Sequence, residues 1–216
     1  GSLTYVKICY AGARSTADIE HNGLTLNGVG NGTKIENIYV LESADDAIEF
    51  FGGTVNVTNL LAVNPDDDMF DFTQGYCGTL KNCYGVWERD YTSTEADPRG
   101  IEADGNMDGL YPDHLRQSDF KVENMTIVNN AANTADNVDR MQDVIKIRRG
   151  AKATITNALV KGTGGAIDLV DMKDSKGAGN IESSINITHT LSLTGLKQNG
   201  ELNTFVESAD NTGADA

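Results

Sequence analysis

The chain has 216 residues and carries 17 Lys and Arg against 32 Asp and Glu, a formal charge of −15 at pH 7. That excess argues against nucleic acid or an anionic membrane as partner and favours cations, or neutral and cation-bridged ligands. Apolar residues come in short runs, far below the ~20 needed to span a bilayer. The odd set Cys9, Cys77 and Cys83 lacks metal-ligand spacing, so free, buried thiols are expected.

In chain order, Gly1-Ser2 resembles a cloning remnant, which leaves room for an upstream signal or lipid anchor in a longer native chain. Residues 3–10 form the first predicted strand, aligned with the last strand of a coil, with Tyr5 where later coils carry Asn. A chain that starts in mid-coil has an open parallel edge. Further protein, a capping loop, or end-to-end or dimer contacts are expected there.

One design then recurs at residues 23–26, 47–50, 69–72, 100–103, 144–147 and 166–169, each apolar, polar, apolar. That alternation marks a short strand with one face buried. A second motif follows each, ending in Asn37, Asn59, Asn82, Asn124 and Asn157, with His189 closing the series. A further apolar strand comes after each Asn. An inward Asn at a tight turn is expected to bond both its own turn and its neighbour's amide.

Coils of about 22 residues, some with insertions, and no helical period describe an all-β, right-handed parallel β-helix of about six coils with three short strands each. Gly, Asn, Thr and β-branched residues disfavour helix interiors as well. Residues 204–206 would start a seventh coil and 208–216 read as a frayed tail, all within one domain spanning 1–216.

Residues 43–55 (Ser-Ala-Asp-Asp-Ala-Ile-Glu-Phe-Phe-Gly-Gly-Thr-Val), with 66–72 and 99–104, resemble a group of secreted or lipid-anchored bacterial β-helix proteins. In wider architecture the chain is similar to the pectate-lyase-like superfamily. The resemblance implies an extracytoplasmic location and an association with acidic polysaccharides, and it brings no catalytic residues with it. The paired Asn-Thr-Asp and Gly-His-Gly motifs of the superfamily's pectin hydrolases are missing, and His21 and His114 lie outside the ladder.

Stacking the first strands aligns Thr25, Glu49, Asp71, Glu102, Lys146 and Asp168 in one column. Adjacent ionised carboxylates at coil spacing repel by about 1 kcal/mol in water and more in a shielded groove, so a proton, a cationic side chain or a metal must compensate. Three residues earlier runs a second column of Asp46, Asp68, Arg99 and Asp143, with Asp45, Asp66 and Asp67 beside it. Oxygen donors without His or Cys suit Ca²⁺, with Glu49, Asp46, Asp68, Asp71 and Glu102 as ligands. A solvated acidic edge that opposes aggregation is the simpler alternative.

Insertions at 88–98, 105–118, 129–142 and 173–182 would wall a groove over Glu102, Lys146 and Asp168, with Trp87 and Tyr111, and also Tyr84 and Tyr91, available to stack on sugar rings. Lys146, supported by Arg99, Arg148 and Arg149, is the candidate base of a Ca²⁺-assisted polysaccharide lyase, which needs a proton acceptor beside a neutralised uronate. Alternatively Lys146 and Arg99 only neutralise Glu102 and Asp168. Glu49 with Asp71, or Asp71 with Glu102, meets the carboxyl spacing of a retaining glycosidase, as any acidic ladder would. Three readings stand: a carbohydrate- or cation-binding β-helix, the lyase, and a structural segment of an adhesin or stalk.

Overall fold

The computed structural model describes residues 1–13, 21–95, 97–106, 116–131, 141, 143–164, 166, 168–173, 182–192, 197–198, 201–202 and 206–208. Its strands are β1 (Ser2–Cys9), β2 (Leu24–Asn27), β3 (Lys34–Leu41), β4 (Ile48–Phe51), β5 (Asn56–Val63), β6 (Phe70–Thr73), β7 (Thr79–Trp87), β8 (Ile101–Asp104) and β9 (Asp119–Asn129). They continue as β10 (Asp143–Arg148), β11 (Lys152–Lys161), β12 (Asp168–Met172), β13 (Ser184–Thr188), β14 (Leu191–Ser192), β15 (Lys197–Gln198), β16 (Glu201–Leu202) and β17 (Val206–Ser208). Odd-numbered strands from β1 to β13 stack in one parallel sheet, and β2, β4, β6, β8, β10, β12 and β17 stack in another. The chain therefore alternates between two sheets once per turn, the winding of a parallel β-helix.

The second and third strands expected in each coil are one strand bent at the repeated Asn. Asn37, Asn59, Asn82, Asn124 and Asn157 have φ of 58°, 58°, 54°, 58° and 59°, in the left-handed region that Asn tolerates better than most side chains. One residue in that conformation reverses the inside–outside alternation. Ile35, Ile38 and Val40 consequently all point inward, as do Val57, Leu60 and Ala62, and then Val122, Met125 and Ile127. Tyr5 (φ 57°) and His189 (φ 52°) hold the equivalent positions at the two ends.

Each amide nitrogen of the ladder donates to the Asn one coil earlier, from Asn59 to Asn37 at 2.8 Å through Asn157 to Asn124 at 2.8 Å. The ladder runs along the outside of the solenoid rather than inside it: Asn59, Asn82, Asn124 and Asn157 are exposed. The left-handed bend turns the neighbouring residues into the core and leaves the Asn itself on the convex corner.

Inside, Phe72 stacks on Phe50 (ring centroids 5.1 Å apart) and Phe120 (4.1 Å), with Tyr76 alongside. All four are fully buried, and the Tyr76 hydroxyl donates to the Val55 carbonyl at 2.7 Å. Burying a Phe side chain contributes roughly 1.5–3 kcal/mol, so this pillar is a main source of cohesion between coils. The three cysteines are free, with Cys83 buried and Cys9 and Cys77 half-buried. No described helix is long and apolar enough to cross a membrane. At the far end β17 pairs with β12, Val206 facing Val170, which begins a further coil.

Candidate functional site

Strand registry brings the predicted column together. Thr25 faces Glu49, Glu49 faces Asp71, Asp71 faces Glu102, and Glu102 faces Lys146. The column then departs from expectation, because Lys146 faces Asp171 and Asp168 faces Asp143. Residues 166–169 and 169–172 both read as apolar, polar, apolar. The second frame prevails because it lays Val170 against Ile145 in the core. Asp168 thus belongs to the second column, with Asp46, Asp68, Arg99 and Asp143.

That second column also secures the turns. The Asp46 carboxylate accepts the backbone N–H of Asp68 at 3.0 Å, and the Asp68 carboxylate accepts that of Arg99 at 2.6 Å. Asp46, Asp68 and Arg99 are all buried.

The charges divide along the column. From β8 onward Glu102, Asp104, Asp143 and Asp171 each have a cation. Arg99 contacts Glu102 at 2.5 Å, Asp97 at 3.1 Å and Asp143 at 3.6 Å, and Lys146 meets Asp171 at 2.5 Å. Arg148 bonds Glu102 and also Asp104 (2.9 Å), and Arg149 reaches Asp104 at 3.1 Å. Burial raises the Asp104 carboxyl to about 6 in spite of these two arginines. Lys146, named as candidate base, is only 3% exposed and held by Asp171. The basic cluster is engaged in neutralisation throughout.

The β4–β6 half gathers carboxylates upon one another. One oxygen each from Asp46, Glu49 and Asp71 lies within 4.8 Å of the others, and the same holds for Asp45, Asp46 and Asp67. Oδ1 of Asp71 and Oδ1 of Asp67 are buried with no hydrogen-bond partner. Burial, then Glu49 and Glu102, pushes the Asp71 carboxyl well above the ordinary range; burial, then Asp71 and Asp68, does the same for Asp46. Asp67 and Asp68 are raised too, by burial first and then by acidic neighbours.

Of the predicted metal ligands, Asp46, Glu49 and Asp71 converge. Glu102 is claimed by Arg99 and Arg148, and Asp68 by the Arg99 amide, so neither joins the cluster. Asn22, which the sequence did not single out, donates its amide to Glu49, and its own Oδ1 is buried without a partner. Its position just before the first repeat was the only available signal. An all-oxygen, half-buried set with orphaned acceptors fits a hard divalent cation.

The aromatic candidates scatter. Trp87 is fully buried and donates Nε1–H to the Pro65 carbonyl at 3.1 Å, so it is a core residue and not a sugar platform. A bulky apolar ring at the end of β7 gains more from burial than from display. Tyr111, like His114, lies outside the described residues, as does most of three predicted groove walls. The fourth, residues 88–98, is fastened to Asp66, whose carboxylate accepts from the Tyr91 hydroxyl (3.1 Å) and the Thr94 amide (2.8 Å).

A solenoid of this kind, with an acidic column on one sheet, can be compared with known families. The model of the pectate-lyase-like beta helix domain matches residues 1–216. The chain belongs to that family. No curated protein and no solved structure matches it. Membership of the pectate-lyase-like β-helix family accounts for the winding and fits a carbohydrate-related role.

Proposed function

We propose that this pectate-lyase-like β-helix works outside the cytoplasm as a binding protein, holding a Ca²⁺-like cation at Asp46, Glu49 and Asp71 and, through it, an acidic carbohydrate. The observation that carries this reading is the buried, unpartnered Oδ1 of Asp71 inside a cluster of three carboxylates, one oxygen of each within 4.8 Å of the others. An orphaned buried acceptor costs about 1–3 kcal/mol, more when charged, and a cation removes that cost. Asn22 beside Glu49 offers one more oxygen if its amide turns over. A chain of −15 charge repels a polyanion unless a cation lies between them.

The lyase reading gains nothing from the geometry, since Lys146 and Arg99 are both buried in ion pairs. Affinity electrophoresis through gels containing polygalacturonate tests the proposal. Retardation with Ca²⁺, lost with chelator and in Asp71→Asn, is the expected result. Equal mobility in all gels, with no Ca²⁺ bound in solution, would overturn it.

A further inference from the structure

Where β3, β5 and β7 end, the solenoid carries a cleft of about 500 Å³ lined by Glu42, Asn64, Glu88, Arg89, Asp90 and Tyr91. It is built on a fixed frame. The Tyr91 amide donates to the Glu88 carbonyl at 3.1 Å, closing a four-residue turn with Arg89 and Asp90 at its tip. Asn64, buried and at φ 51°, clamps that turn from below. Its Nδ2 donates to Glu88 Oε2 at 3.0 Å, and its Oδ1 accepts the Glu88 N–H at 2.9 Å. The Tyr91 ring leans on the Trp87 ring (6.4 Å) and its hydroxyl is bonded to Asp66, so what it offers the cleft is aromatic surface.

We propose that this cleft binds a neutral oligosaccharide, independently of the acidic column and of any cation. The lining combines one half-buried aromatic ring with the planar carboxylates of Glu42, Glu88 and Asp90 and the guanidinium of Arg89. Such groups form paired hydrogen bonds with neighbouring sugar hydroxyls, while the ring covers the apolar face of the sugar. Three carboxylates against one guanidinium repel a polyanion, which separates this ligand from that of the column. Arg89, exposed and forming no ion pair among the described residues, opposes a simple cation. Because the turn is already clamped by Asn64, little ordering is lost when a ligand docks.

Trp87 is the single tryptophan and touches Tyr91, so its one indole N–H resonance reports on the cleft. The full chain, in chelator, is titrated with cellohexaose, xylohexaose and mannohexaose while that resonance is followed. At least one sugar should shift it saturably below about 10 mM, the range of a weak single-site complex. Arg89→Ala and Tyr91→Ala should each weaken binding about tenfold or more, which is about 1.4 kcal/mol. Tyr91→Phe, which keeps the ring and loses only the bond to Asp66, should retain binding, and Asp71→Asn should leave it unchanged. The proposal is overturned if none of the three sugars binds, if only a polyamine such as spermine does, or if the two alanine variants bind as the parent does. Failure here with intact Ca²⁺ binding would leave the acidic column unaffected, and the reverse would leave the cleft.

Discussion

Glu49 and Asp71 occupy the same place on successive coils, paired across β4 and β6, and a carboxylate oxygen of each lies within 4.8 Å of the other. Their mutual repulsion, added to burial, is what raises the Asp71 carboxyl. Cation-free protein therefore folds with carboxyls that hold their protons more tightly than the unfolded chain does.

The sign of the pH dependence follows. A group raised in the folded state contributes stability that is present below its unfolded value and is lost as pH rises through the folded one. For Asp104 the window runs from 3.8 to about 6, and Asp46, Asp67, Asp68 and Asp71 act in the same direction. In chelator, the melting temperature should fall between pH 5 and pH 7. A rise over that interval in differential scanning calorimetry would refute the assignment of raised carboxyls.

Asp71→Asn removes one of the repelling charges while keeping the shape. At pH 7 without divalent cations this variant should be more stable than the parent by about 1–2 kcal/mol, the scale of one like-charge contact in a partly shielded site. Urea denaturation of the two proteins measures the difference.

Lys146→Met leaves Asp171 buried without its partner and should cost about 3–5 kcal/mol, whereas Lys146→Met with Asp171→Leu should recover a large part of that loss. Equal stability of the two variants would show that the pair is not coupled. The same denaturation series reads it.

On the outer ladder, Asn82→Ala loses the bond to Asn59 (3.0 Å) and the one received from Asn124 (2.8 Å), and places Ala at φ 54°. A cost of about 1–3 kcal/mol is expected from strain and lost bonding together. Asn82→Gly relieves the strain alone and should fall between the parent and Asn82→Ala.

The solenoid was legible because its repeat rests on short-range rules: alternation in Ile48-Glu49-Phe50, and an Asn where the chain bends. Those rules also placed Tyr5 and His189 on the Asn ladder. They did not separate the two frames around Asp168 and Asp171, which differ only in how Val170 packs on Ile145, a contact made one coil away. Nor could they tell which carboxylates are neutralised. Arg148 lies 46 residues from Glu102 and 44 from Asp104, and its reach across one coil decides that Glu102 is not left for a metal. Trp87 misled because a ring next to an insertion reads as displayed, while its N–H is satisfied by Pro65 indoors.

Calcium titration with thermal unfolding, on the parent and on Asp71→Asn at pH 7, bears most directly on the column as a cation site. A ligand that binds only the folded state stabilises it by about 2.7 kcal/mol at a hundredfold excess over its Kd. The parent's melting temperature should climb with Ca²⁺ toward the value it has at mildly acid pH, and Asp71→Asn should lose most of that climb. A parent curve that does not move with Ca²⁺ would mean that Asp46, Glu49 and Asp71 are compensated by shared protons alone.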